Sequence, residues 1–330
     1  MGQSGNHITR GIVFAVLGAL FWGFSGTCAS VLTTGYGAGV FWIVCMRLVT
    51  AGPIFLVIAL IFNRDRLFAL FRNPRMLAHA FVFAVVGVIL VMYSYTASIK
   101  FTNTGTALLL QQLGLPLIML IACIRARRLP AQREAFALIL ALLGAACIAT
   151  QGSFTSLAIS EIGLFWGLVS ALALAGYNLL PMKLLDEYGS FVTNGVGLTM
   201  GAIVVVPFVR PWESVPPMSI DGWVVLGCII LFGTVMAYVM YLQGVKDAGP
   251  VKASLIAVLE PVSGMAISAA WIGDVISTWD ILGCVLICAM MVLVSLPAKA
   301  DREASKIAAV EAQAEVQGDV ALEAEDSQVA

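Results

Sequence analysis

Charge is what this 330-residue chain has least of: Asp, Glu, Lys and Arg together supply 11% of it, where soluble domains carry roughly a quarter. A net charge of -1 gives no basic field for nucleic acid. Histidine occurs twice, as His7 and His79, both near the edges of apolar segments, so a Ser/His couple has little to draw on. No Walker loop, HExxH or CxxC occurs, and no paired Asp lies within the apolar runs. These absences argue against an enzyme and leave no metal-ligand motif. The seven cysteines (Cys28, Cys45, Cys123, Cys147, Cys228, Cys284, Cys288) all fall inside apolar segments, where they act as small buried hydrophobes and not as a disulfide framework. Cys284 and Cys288 share a helix face, which reads as core packing. A cleavable leader is not expected, since the first apolar stretch has spanning length and lacks a small-residue cleavage site.

What fills the space is apolar. The hydrophobic fraction is 60% and the mean hydropathy +0.97, which predicts an all-α polytopic membrane protein. Stretches of spanning length fall at about 11-32, 40-62, 76-99, 102-124, 134-150, 163-182, 192-209, 222-245, 250-273 and 281-297, ten in all. "TTGYGAG", "NRDRLFALFRNPR", "RARRLPAQR", "QGSFTSLAIS" and "RPWESVPP" punctuate them. With residues 1-10 taken as cytoplasmic, Arg64, Arg66, Arg72, Arg75, Arg125, Arg127, Arg128 and most other Lys and Arg collect on the inner side. Only Lys100 and Arg210 stay outside. The positive-inside rule therefore predicts a multi-pass plasma (inner) membrane protein with both termini cytoplasmic. Residues 298-330, rich in Ala, Glu and Gln without an aromatic, read as an acidic, largely disordered cytoplasmic tail.

The chain also repeats. "ALFWGFSG" (19-26) matches "GLFWGLVS" (163-170), and "LGLP" (113-116) matches "VLEP" (258-261). The expected organisation is a first five-helix repeat at 11-150 and a second at 163-297. An odd number of spans per copy forces the second to enter the membrane inverted. Two opposed halves around one midplane site are the usual build of secondary transporters.

"FWG" in both halves, "VLEPVSGMAISAAWIGD" in the ninth stretch and "WDILGCVLICAMMVLV" after it resemble the EamA-type drug/metabolite transporter superfamily. The resemblance covers about 11-297 and is more specific in the second half. In the first half Leu115 stands where the second has Glu260, and "RARRLP" lacks the acidic turn residue that Asp274 supplies. The resemblance implies ten helices, with one to four and six to nine around a central cavity and five and ten peripheral. It implies export of small metabolites or amino acids, without a cofactor.

Several residues are candidates for substrate binding or coupling. Glu260 lies about ten residues in from Pro250, hence roughly 15 Å deep at ~1.5 Å per residue. It reads equally as a cavity carboxylate for a proton or substrate amine, and as a group that satisfies the Ala257 carbonyl freed by Pro261. Arg47, the one cation inside a span, must find an anion, carbonyls or water. It pairs with Glu260, holds a substrate carboxylate or snorkels outward. Gln111, Gln112, Asn178 and Asn194 are amides within spans, where helix packing is the commoner role; Gln111 and Gln112 stand out for their place before Pro116, the other expected helix break. Trp22, Trp166, Tyr93 and Tyr238, with Tyr95, Tyr177 and Tyr241, read first as packing or interface anchors and otherwise would suit an amphipathic or aromatic solute.

The function expected is a secondary transporter that exports small organic metabolites by alternating access. Its partners are a small-molecule substrate, the lipid bilayer and a proton as candidate coupling ion, with no nucleic acid and the oligomeric state open. Multidrug efflux of cationic or aromatic compounds is the alternative. "TTGYG" resembles a potassium-filter signature, but it follows a full span directly with no pore helix, so a tight turn accounts for it.

Overall fold

Inside hydrocarbon a backbone must satisfy its own polar groups, so each long apolar run closes into a helix. A computed structural model describes residues 2-153 and 157-296, with the side chains of residues 2-6 and 250 left aside. It contains ten helical spans long and apolar enough to cross a membrane: His7–Gly35, Val40–Phe62, Pro74–Phe101, Thr104–Arg125, Gln132–Thr150, Glu161–Tyr188, Ser190–Val209, Ile220–Ala248, Val251–Ile272 and Thr278–Ser295. No strand occurs among the described residues. The count matches the expectation and most limits agree within three residues. The first helix differs most, because it begins at Gly2. The tail expected to be disordered, 298-330, lies outside the described residues.

The connection "NRDRLFALFRNPR" is more than punctuation. It folds into a nine-residue amphipathic helix, Arg64–Arg72, that buries Leu67 and Leu70 and leaves Phe68 and Phe71 exposed. Between the fourth and fifth spans, Arg128 grips both carboxylate oxygens of Glu134 at 2.7 and 2.8 Å. Glu134 also accepts the Ala131 N–H, which caps the fifth span.

Packing repeats as the sequence repeats. The first span lies against the eighth and ninth, and its counterpart, the sixth, lies against the third and fourth. The second packs on the seventh, its own counterpart. Small residues permit these approaches, as helix contacts in lipid require. A Cβ on Gly11 would meet Asp247 and Ala248, and one on Gly18 would meet Tyr241, so the first and eighth spans run antiparallel. The "FWG" glycines have the same purpose. A Cβ on Gly23 would sit 2.7 Å from the Gly264 backbone nitrogen, and one on Gly167 would sit 2.5 Å from Leu110. The fifth and tenth spans cross where Gly144 and Gly283 face each other. They share an apolar cluster with the fourth and ninth, built on Leu109, Ala141, Met265, Ile287 and Met290.

Six spans are irregular, the third, fourth, eighth and ninth well inside the apolar zone and the first and sixth nearer their ends, where the sixth breaks between Glu161–Leu179 and Met182–Tyr188. The fourth breaks between the helices Thr104–Gln111 and Gly114–Arg125, and the ninth between Pro250–Ile256 and Leu259–Ile272. Pro116 and Pro261 were the residues expected to break them. The third and eighth each carry a wide π-turn, Phe83–Ile89 and Leu231–Met236, which nothing in the sequence announced. "TTGYG" forms the end of the first span as another π-turn, Val31–Gly35, with Thr33 Oγ1 donating to the Ala29 carbonyl at 2.8 Å.

Candidate functional site

Arg47 projects from the second span into the interior and is 6% exposed, so it does not snorkel. Its Nε donates to Thr234 Oγ1 at 3.2 Å, and Thr234 in turn donates to the Ile229 carbonyl at 3.1 Å. That i-5 bond uses a carbonyl which the π-turn of the eighth span leaves available. The irregular turn thus sets the hydroxyl that holds the guanidinium. Thr234 carried no sequence signal beyond following Gly233.

Glu260 enters from the ninth span one turn beyond its break and is half-buried. The Gln112 side chain, at the break of the fourth span, lies close enough to its carboxyl to interact with it. The Ala257 carbonyl, freed by Pro261, accepts the backbone N–H of Glu260 at 3.0 Å. The first half closes the same turn with Leu115 N–H to the Gln112 carbonyl at 3.1 Å. A leucine makes the break as well as a glutamate does, so the carboxyl is not needed to mend the backbone. Leu115 packs instead on the apolar cluster around Leu109 and Met265.

Arg47 and Glu260 are not within ion-pairing distance of each other, nor does either form an ion pair among the described residues. The phenols of Tyr95 and Tyr238 are within electrostatic reach of both charges. Tyr95, 9% exposed, has no hydrogen-bond partner for its hydroxyl, and the buried hydroxyls of Thr27 and Thr104 lack one too. Gly26 makes the room, since a Cβ there would lie 2.4 Å from the Tyr95 hydroxyl. Buried hydroxyls nearly always find partners, so this set is poised to receive one.

The aromatic wall comes from Trp22, whose ring lies 5.4 Å from that of Tyr238, edge to face, and 4.9 Å from Tyr241. Tyr238 also meets the Tyr177 hydroxyl at 2.7 Å, and Tyr177 donates to Asn194 Oδ1 at 3.0 Å. Of the residues singled out from sequence, Arg47, Glu260, Gln112, Trp22 and Tyr238 therefore converge. Gln111 turns away and donates to Ser170 Oγ of the sixth span at 2.9 Å, as helix glue. Asn178 is exposed and donates back to the Leu174 carbonyl of its own helix. Trp166 and Tyr93 pack on each other at 5.0 Å, with Phe41 4.1 Å from Tyr93, and reach none of the charges. Tyr95 and Tyr241 join the site; the sequence showed them only as two aromatics among several.

A model of the EamA-like transporter family matches twice, over residues 9–150 and 161–296. The chain is 28% identical over 292 residues to YicL, an uncharacterized inner membrane transporter of Salmonella typhimurium; the match covers 88% of this chain and 96% of that one. It is 25% identical to YyaM, an uncharacterized transporter of Bacillus subtilis, over 62% of this chain and 69% of the relative. One solved crystal structure superposes with a TM-score of 0.57 at 16% identity, over 86% of this chain and 96% of that one, which speaks to the fold alone. With ten apolar helices and the family matched across both halves, the chain belongs to the EamA-like transporter family and is a multi-pass membrane transporter.

Proposed function

We propose that the protein exports small zwitterionic metabolites, amino acids or related amphipathic solutes, across the inner membrane by alternating access. The observation that carries this reading is the pair of opposite charges, Arg47 and Glu260, both within electrostatic reach of the Tyr95 and Tyr238 phenols yet not ion-paired with each other. An uncompensated buried charge is costly. A substrate with a carboxylate for Arg47 and an amine for Glu260 would compensate both at once. The unpartnered Tyr95 hydroxyl would add a donor to the carboxylate, and the Trp22–Tyr238–Tyr241 wall would receive an apolar side chain. When the site is empty, a proton on Glu260 would remove one of the two charges, which makes proton exchange a natural coupling step.

The five-span repeats offer the moving parts, since the two halves pack on each other in matching pairs and breaks or π-turns interrupt the third, fourth, eighth and ninth spans, each of which supplies a residue to the site. The excess of Lys and Arg on one side supports cytoplasmic termini.

The test compares metabolites released from cells with and without the protein, repeated after the proton gradient is collapsed. Release of zwitterionic solutes should rise with the protein, depend on the gradient and vanish with Glu260→Gln or Arg47→Ala. Wild-type flux in both variants would remove these residues from the site. Efflux of cationic aromatic compounds is the second reading, favoured by the aromatic wall beside Glu260. It predicts that Arg47→Ala spares transport while Glu260→Gln abolishes it.

A further inference from the structure

Away from Arg47 and Glu260, the second, third and seventh spans line a cavity of about 670 Å³, within the ~300–1,000 Å³ range of ligand sites. We infer that it is a binding site for a single phospholipid, with an acyl chain in the groove and the phosphate on Arg210. The walls are apolar: Phe41, Trp42, Val85, Ile89, Val205 and Phe208. Ser214 is the one lining residue with a side-chain hydroxyl, and it is already directed to the Val209 carbonyl at 3.4 Å. Water needs two to four polar partners to stay in such a space, so an apolar chain fills it better. The rim faces outward, with Phe208 85% and Phe41 47% exposed, which lets a chain enter sideways from the bilayer.

The occupant is a lipid with a headgroup and not a bare apolar solute, because one end of the groove is different from the rest. The loop after the seventh span caps that end, where Trp42 Nε1 donates to the Pro211 carbonyl at 3.0 Å. Trp212 and Trp223 are exposed close by, and Trp223 lies edge to face with Trp42. Tryptophans gather at the level of lipid headgroups. Arg210, next to the lining residue Val209, is exposed and 3.5 Å from Glu213, longer than the roughly 2.7–2.9 Å of a strong charged hydrogen bond. Its guanidinium keeps donors for a phosphate. The capped end of the apolar trough, between the lining residue Val209 and Pro211, thus carries Arg210, paired with Glu213 through one nitrogen and keeping its other donors, which is the polarity of a phospholipid from phosphate to chain.

The experiment is native mass spectrometry of the full chain extracted from membranes in mild detergent. One phospholipid per chain should survive. Val204→Trp or Ile89→Trp, which fill the groove, should remove it, and Arg210→Gln should weaken retention about tenfold by deleting a charged contact. Leu142→Trp, on the exposed face of the fifth span, should change nothing. In intact membranes, a photoreactive residue at position 208 should label a phospholipid chain well above the level seen from position 142. Unchanged retention in both groove variants, equal labelling at 208 and 142, or an adduct that is not a phospholipid would overturn the assignment.

Discussion

In the fourth span the chain steps from Gln111 to Gly114 through a turn in which the Leu115 N–H reaches the Gln112 carbonyl; in the ninth it steps from Ile256 to Leu259 with the Glu260 N–H on the Ala257 carbonyl. The prolines that follow, Pro116 and Pro261, stand in the same register. Side chains are where the two turns diverge. The first sends Leu115 into an apolar cluster and Gln112 across to the second half, whereas the second presents a carboxyl to meet it. The paired aromatics split in the same way. Trp22 and Tyr238 border the charges, while their sequence counterparts Trp166 and Tyr93 pack with Phe41 and Phe165. Duplicated halves thus preserve the backbone device that lets spans bend, and one copy of each polar set is free to specialise. Repeat symmetry therefore locates the helix breaks but not the side-chain contacts made beside them.

Breaking this asymmetry should have its largest effect at the second turn. Glu260→Leu, which copies the first half, is expected to leave the protein folded and to cut transport by about a hundredfold or more, the scale of losing a buried charged contact; transport and thermal stability measured on one preparation check both parts. A loss of stability that matched the loss of transport would mean the carboxyl is structural after all. Arg47→Lys keeps the charge but gives up the planar fork, so a drop of about tenfold in transport is expected, read from initial rates in proteoliposomes.

The two "FWG" glycines sharpen the comparison further. A Cβ at Gly23 would press on the Gly264 backbone nitrogen, which can move only by separating the first and ninth spans, whereas one at Gly167 would press on the side chain of Leu110. Gly23→Ala should therefore destabilise more than Gly167→Ala, within the roughly 1–3 kcal/mol of overpacking, as thermal unfolding in detergent would register. The smallest contrast concerns the tyrosines. Tyr238→Phe removes the 2.7 Å bond to Tyr177 and should cost about 0.6 kcal/mol. Tyr93, whose recorded contacts are ring contacts, should tolerate Phe with a change below about 0.5 kcal/mol.

Much of this architecture was legible in the residues. The ten spans and the proline breaks followed from run length and proline chemistry. Arg47 and Glu260 stood out because charge inside a span is rare. The division of labour among the amides and aromatics was not legible. Gln111 and Gln112 are neighbours in sequence, yet one helix step of rotation sends the first to Ser170 and the second to Glu260. Asn178, a candidate amide read first as a helix-packing group, donates to the Leu174 carbonyl of its own helix. The helix Arg64–Arg72 hid in what read as a charged loop, since its apolar face is only a few residues wide.

The sequence by itself determined how many times the chain crosses the bilayer and where it bends, because hydrocarbon forces each run to satisfy its own backbone and proline withholds one donor at a known place. Which helix faces meet was decided by the tertiary structure alone. Lipid tails are as apolar as a packed interior, so hydrophobic periodicity does not mark the inward face of a membrane helix. Only glycine contacts, π-turns and helix crossings, all set by neighbours far away in sequence, linked Arg47 to Thr234, Tyr95 to both charges and Gln112 to Glu260.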